Sequence, residues 1–304
     1  MAAEGNYLAI TVDIEDWYHI PSVTGSPFSV YRDTTEFFQK WDRRYDYLSE
    51  PTAVVLDLLD EFRVRATFFV VGEVIERYPG LVETIAERGH EIGCHGLHHS
   101  CKIDPSTRKP LVTPEKFGEW TGQAVKMLEQ ISGEKITGYR APNALVGGWM
   151  LDVLEKTGIG YDSSISVNSF YNKTDGPLKT VSSSPFYPEM HSLETGGRRD
   201  IVEFPFSYWR IPLMKIPTSG GPMLRLLGAQ IVLQGLKQSL KRGHTVFYFH
   251  PLDICREKLP EVGRGRPLYW AIKGKIIEER IRYILKSVSG YRILPLREIR
   301  ESIG

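Results

Sequence analysis

Glu87-Arg-Gly-His-Glu-Ile-Gly-Cys-His-Gly-Leu-His-His99 is the stretch from which the rest of the chain is read. Before it, Ile75, Leu81, Val82 and Ile85 recur on one face at helical spacing. Gly89 offers a backbone that can leave a helix through the left-handed region, and Glu91–His95 has the character of a short strand. A helix that ends on glycine and passes the chain to a strand is the unit of an alternating α/β fold. The unit returns at Gly133 before Lys135-Ile-Thr-Gly-Tyr139, at Gly158 before Ile159-Gly-Tyr161, at Gly243 before His244-Thr-Val-Phe-Tyr-Phe249 and at Gly290 before Tyr291-Arg-Ile-Leu294.

Working outward, strands are expected at Tyr7–Asp13, Ala66–Val71, Glu91–His95, Thr137–Ala141, Tyr161–Ser163, Ile201–Phe204, Val246–His250 and Arg292–Leu294. Between them, Val54, Val55, Leu58, Leu59 and Phe62 mark one helix, and Thr113-Pro114 reads as the cap and first residue of another that runs toward Ile131. The architecture this predicts is a distorted (β/α) barrel of seven to eight mostly parallel strands. Pro21–Glu50, Asn172–Arg199, Pro212–Pro222 and Arg256–Pro267 read as loops. With no linker evident, residues 1–304 are expected to form a single domain, with insertions at about 21–50 and 172–199.

The 304 residues are 41% hydrophobic and 25% charged, as in ordinary globular proteins, which excludes a collagen, a coiled coil or a disordered chain. A formal charge of +1 gives no reason to expect nucleic acid as a partner. The longest apolar runs, such as Ala66–Val71, are far shorter than the roughly 20 residues of a membrane span. Cys94, Cys101 and Cys255 are too few for a disulfide framework. The start, Met-Ala-Ala-Glu-Gly-Asn-Tyr7, lacks a basic segment followed by an apolar core, so a cytoplasmic protein is expected. The oligomeric state is left open.

In a β/α barrel, chemistry gathers at the C-terminal ends of strands. Five of the expected ends carry ionisable groups: Asp13-Ile-Glu-Asp16 followed by Trp17 and His19, His95 to His99, Arg140, Asp162 and His250. His95 and His99, four residues apart, can meet one metal, and a carboxylate from Asp13–Asp16 would complete a two-histidine, one-carboxylate site suited to zinc. A metal beside a carboxylate makes a hydrolytic nucleophile of water, and His250 is the candidate proton donor on the leaving-group side. A closed structural zinc site built on Cys94 and Cys101 is a rival. Strand alternation counts against it, because Cys94 should point away from His95.

As a set, these residues resemble the motifs of carbohydrate esterase family four, the polysaccharide deacetylases of the NodB-homology fold. Thr11-Val-Asp-Ile-Glu-Asp16 is similar to the family's acidic motif, and His95-Gly-Leu-His-His99 to H-[ST]-x-x-H with glycine in the Ser/Thr position. Arg140-Ala-Pro142 resembles R-x-x-P, Asp162-Ser-Ser the fourth motif, and Phe247-Tyr-Phe-His250 the last. The resemblance implies that Asp13 is the general base, that His95 and His99 bind a divalent metal, that Arg140 orients the base, and that Asp162 orients His250, the general acid. It implies an N-acetylated amino sugar as substrate. Most members have adjacent aspartates, whereas Ile14 separates the acids here; the third ligand is Glu15 or Asp16.

The expected function is therefore a metal-dependent, most simply zinc-dependent, hydrolase that removes N-acetyl groups from a polysaccharide, an oligosaccharide or a glycan precursor. An allantoinase-like amidohydrolase acting on a small cyclic amide, and a catalytically silent glycan-binding barrel, are the alternatives. Trp17, His19, Pro142 and Asn143 are candidate substrate contacts, and Tyr208 and Trp209 could stack on sugar rings. Loops after Asp16 and Ser169 could close the cleft.

Overall fold

The structure is a computed structural model that describes residues 5–41, 46–167, 173–178, 181–197, 199–212, 214–260, 262 and 268–303. Ser169, the start at Met1–Glu4, and parts of the expected loops 172–199 and 256–267 lie outside the described residues.

Strands β1 (Tyr7–Ile14), β2 (Thr67–Val70), β3 (Glu91–Cys94), β4 (Gly138–Tyr139), β5 (Tyr161–Asp162) and β6 (Val202–Glu203) follow one another side by side. An antiparallel hairpin of β7 (Tyr208–Ile211) and β8 (Met214–Pro217) interrupts the series. Then β9 (Thr245–Phe249) pairs with β1 through Leu8–Val12, and β10 (Arg292–Ile293) pairs with Tyr7 and Leu8. Every pairing in the eight-stranded sheet is parallel. Past β6, a parallel bridge between Phe206 and Val246 carries the far end of the sheet back to β9, so the sheet curls into a distorted barrel.

Helices α1 (Thr34–Lys40), α2 (Ser49–Glu61), α3 (Gly72–Arg77), α4 (Leu81–Glu87), α5 (Pro114–Ser132), α6 (Gly148–Lys156), α7 (Gly221–Leu240), α8 (Pro251–Ile254), α9 (Lys275–Val288) and α10 (Leu296–Ile303) fill the connections. Thr113 caps α5 by accepting from the Lys116 N–H, with Pro114 in the first turn. The stripe read as one helix from Ile75 to Ile85 is two, α3 and α4, joined through Gly80 in the left-handed region (φ 85°). Gly89, Gly133 and Gly158 leave their helices with φ of 77°, 70° and 85°; Gly243 and Gly290 do not take positive φ.

The alternation of β1 decides where the chemistry faces. Leu8, Ile10, Val12 and Ile14 join the large apolar cluster under the helices, with Phe68, Val70, Ile92 and Cys94 of the neighbouring strands. Ala9 packs on the other face with Phe69, Tyr161, Phe206 and Val246, inside the barrel. Thr11 and Asp13 share the parity of Ala9, and Glu15 continues it just past the strand. No helix among the described residues is long and apolar enough to cross a membrane.

Candidate active site

Period two carries Asp13 and Glu15 to the inner rim, and Asp16, one residue out of phase, turns away. Glu15 meets His99 Nε2, and the same oxygen lies 3.9 Å from His95 Nε2. Ligand atoms of Glu15, His95 and His99 all fall within 4.8 Å of one another. Asp16 instead caps the 3-10 turn Trp17–His19, accepting from the Trp17 N–H at 2.7 Å and from the Tyr78 hydroxyl. The structure thus brings Glu15, not Asp16, to the imidazoles. Cys94 points into the outer cluster, and the group of side chains that could hold a cation among the described residues contains no cysteine.

The loop that carries His95 and His99 is fixed from several sides. His95 Nδ1 lies 2.8 Å from the Arg140 carbonyl, which can only accept, so this nitrogen carries the proton and Nε2 keeps its lone pair. Burial holds the His95 imidazole down at about 4, keeping it in the neutral form a metal requires. Burial would raise the Glu15 carboxyl, but His99, His250 and His95 together hold it well below the usual range. His99 Nδ1 is buried without a hydrogen-bond partner among the described residues. A neutral, pre-aimed imidazole, a second imidazole and an ionised carboxylate form a donor set that fits a divalent cation such as zinc.

Beside this cluster, Arg140 Nη1 donates to Asp13 Oδ1 at 2.6 Å and to Thr11 Oγ1 at 2.8 Å. Its Nε and Nη2 donate to the backbone carbonyl and hydroxyl of Ser163 at 2.7 and 2.8 Å. The guanidinium packs over the rings of Phe69, Phe206 and Tyr248, 4.3 to 5.2 Å from their centroids. Both partners are nearly fully buried, so removal of Arg140 alone would strand a carboxylate at a loss of about 3–5 kcal/mol.

Asp13 Oδ2 lies 3.8 Å from His250 Nε2, and Glu15 Oε1 lies 3.3 Å from the same nitrogen. The residue paired with His250 is Asp253, not Asp162. Asp253 Oδ2 accepts the His250 backbone N–H at 2.9 Å and sits 3.2 Å from Nδ1, while Oδ1 pairs with Arg225 Nη2 at 2.5 Å. Burial would lower the His250 imidazole, but Glu15, Asp253 and Asp13 outweigh it and push it up to about 9. Burial would likewise raise Asp253, and Arg225 and His250 reverse that. The signal for Asp253 lies in His250-Pro-Leu-Asp253: a residue at a strand end, proline in the first helical turn and an acid three residues on form a capping box, here on the short α8.

Asp162 works elsewhere. It accepts from Ser164 Oγ at 2.8 Å, and that hydroxyl accepts from the backbone N–H of Ala141, next to Arg140, at 2.8 Å. Glu203, coupled electrostatically to Asp162, accepts from the N–H groups of Ser164 and Ile165. Burial raises both carboxyls, and the like charge of Asp162 raises Glu203 further.

Of the expected substrate contacts, Asn143 lines the cavity, with φ 59° and its Nδ2 3.6 Å from Cys101 Sγ. Trp17 does not; it is buried edge-on among Phe37, Trp41 and Tyr47, at 5.3, 5.6 and 6.2 Å between centroids. His19 is wholly buried behind His99, and Pro142 packs beneath, beside Gly96. Tyr208 is buried under Arg242 in the hairpin region. The cavity, about 380 Å³, is walled instead by Ile20, Pro21 and Phe28 after the first strand and by Phe206, Pro222, Tyr248 and Trp270 from later in the chain. Lys173 also faces it; burial draws its ammonium down to about 8.

Residues 37–161 match the family model for polysaccharide deacetylase, and residues 166–293 match a domain of unknown function, DUF3473. A peptidoglycan-N-acetylglucosamine deacetylase of Bacillus cereus is 30% identical over 144 residues, 45% of this chain and 52% of the relative. A peptidoglycan deacetylase of Helicobacter pylori is 26% identical over 159 residues, 51% of this chain and 52% of the relative. The chain thus spans about half the length of these curated relatives. Among solved structures, a Mycobacterium smegmatis protein assigned as a polysaccharide deacetylase superposes with a TM-score of 0.63 at 21% identity, over 99% of this chain and 91% of that one. The Puue allantoinase superposes with 0.58 at 13% identity, over 97% and 89%. At such identities the likeness is one of fold.

Proposed function

We propose that this chain, which carries a polysaccharide deacetylase domain over residues 37–161, is a metal-dependent hydrolase that removes N-acetyl groups from amino sugars of a polysaccharide, an oligosaccharide or a glycan precursor. One observation carries the reading: Glu15, His95 and His99, the Asp13–Arg140 pair and the His250–Asp253 pair converge on a single cavity. The curated relatives, named as peptidoglycan deacetylases, support it.

Glu15, His95 and His99 would hold the cation. When bound, it would polarise the amide oxygen and lower the pKa of water in the cavity. Asp13 keeps one oxygen on Arg140 and turns the other inward, where it takes the proton of the attacking water. His250, raised to about 9, carries a proton at neutral pH and gives it from Nε2 to the departing amine nitrogen. Asp253 and Arg225 hold the imidazole so that Nε2 faces the cavity.

The test is acetate release from N-acetylglucosamine oligomers by the parent and by His250→Ala. A general acid is worth roughly 10²–10⁴-fold in rate, so the variant should lose at least a hundredfold while still holding zinc. Equal rates, or no release by a zinc-loaded parent, would refute the reading; a silent glycan-binding barrel would bind the oligomers without releasing acetate. The second reading, a ring-opening amidohydrolase, is favoured by the apolar walls that enclose the cavity from two sides of the chain, and allantoin run in parallel decides it.

A further inference from the structure

Glu73, at the second residue of α3, is a largely buried carboxylate beside the site with no part in the reaction above. Its Oε1 accepts from Thr34 Oγ1 at 2.9 Å and contacts His98 Nδ1. Its Oε2 lies 3.3 Å from His19 Nε2. His19 Nδ1 accepts the Asp16 N–H at 3.1 Å, so Nε2 carries the proton and points it at Glu73. The His19 ring stacks on His99, with centroids 5.3 Å apart and planes 29° from parallel. The backbone of the same helical turn holds the ligand loop as well: Gly72 donates to the Gly96 carbonyl at 2.9 Å and Glu73 to Leu97 at 3.0 Å. Gly72 leaves no slack, because a Cβ there would stand 3.2 Å from Leu97 Cα. One carboxylate therefore ties together the turn that follows Glu15, helix α1 and the loop that carries His95 and His99.

We propose that Glu73 is the positioning residue of the cation site: it reaches no ligand atom, but through His98 and His19 it sets where His99 and Glu15 stand, and so sets the affinity for a divalent cation. The inference rests on the metal centre proposed above. Ordinary packing of a helix on a loop would instead affect only the stability of the fold. Burial would raise the Glu73 carboxyl, yet its contacts with His19 and His98 keep it well below the usual range, as suits an ionised acceptor between two imidazole donors.

The experiment measures the zinc dissociation constant of the full chain by competition with a chromophoric chelator, for the parent, Glu73→Gln, His98→Ala and the double variant, alongside the melting temperature of each metal-free form. Direct partners of metal ligands typically change affinity 10–100-fold; Glu73 acts one contact further out, so Glu73→Gln is expected to weaken zinc binding at the lower bound, about tenfold. Because both single changes break the same contact, the double variant should be no weaker than the weaker single one. Thr34→Val, which removes one hydrogen bond and leaves the carboxylate, should weaken zinc roughly two- to threefold, and it carries the test should Glu73→Gln not fold. Unchanged affinity in Glu73→Gln, or in Thr34→Val if it stands in, overturns the proposal, as do fully additive effects of Glu73 and His98. A parent chain that holds no zinc overturns the metal centre itself, and this inference with it.

Discussion

Gly96 occupies the position where related motifs carry serine or threonine, and its φ of 83° accounts for the exchange. A side chain in the left-handed region is strained by about 1–2 kcal/mol. Gly96→Ser should therefore lower the melting temperature and weaken zinc binding together, both read from one thermal and chelator series. Gly25 is a sterner case. With φ 76° and a would-be Cβ only 2.3 Å from the His99 carbonyl oxygen, Gly25→Ala must push the ligand loop aside. At His250 the sign of the pH effect follows from its raised pKa. Its contribution to stability is fully present below about 6.5 and is lost as pH rises through about 9. Denaturant unfolding of the metal-free chain should thus show a fall in stability between those values that His250→Gln lacks. Asp253→Asn should bring the His250 titration, followed by NMR, back toward the ordinary value and slow acetate release at least tenfold. Period two along β1 aims Asp13 and Glu15 together, a pattern present in the sequence itself. The pairing of Asp253 with His250 rests on local capping geometry on α8, which the motif that holds Asp162 does not encode.

Among the elements, the strands of the parallel sheet are legible because most are short buried runs, and β3, β4 and β5 each follow a helix-ending glycine in the left-handed region. The β7–β8 hairpin is not. Pro212 and Pro217, exposed Met214 and half-buried Lys215 blur any alternation, so the segment reads as a loop. What defines it is tertiary: Ser239 Oγ of α7 accepts from the Tyr208 N–H at 3.2 Å and donates to the Tyr208 carbonyl at 3.0 Å, and Gln238 brackets Arg210 in the same way. The split between α3 and α4 is hidden in the sequence for the opposite reason, since the apolar stripe continues across Gly80 while the helical backbone does not. Helix α9 shows how much an apolar stripe can carry. Ile277, Ile281, Ile284, Leu285 and Val288 are all buried, so Ile281→Ala should cost about 2–5 kcal/mol in a denaturant titration.

At the scale of the whole molecule, the two matched regions are interleaved in both fold and chemistry. β1, which presents Asp13 and leads into Glu15, lies between strands of both: β2 on one hand, β9 and β10 on the other. His250, Asp253 and Arg225 come from the region matched to a domain of unknown function, and His95, His99 and Arg140 from the deacetylase region. A fragment ending near residue 165 should accordingly lack cooperative unfolding and fail to hold zinc, by calorimetry and chelator competition, and should recover both when co-expressed with residues 166–304. Independent folding of the fragment would show that the halves are separable. Zinc at a hundred times its dissociation constant should stabilise the intact chain by about 2.7 kcal/mol, visible as a chelator-reversible rise in melting temperature.

The pairing of β1 with β9 has a temporal side. During synthesis the first strand emerges from the ribosome more than two hundred residues before the partner it meets at Val246–Phe249. Until then its apolar edge is open and its acids have no proton donor opposite them. A nascent chain of this protein thus holds an incomplete cavity until β9 and His250 arrive, and β1 gains its last neighbour only with β10.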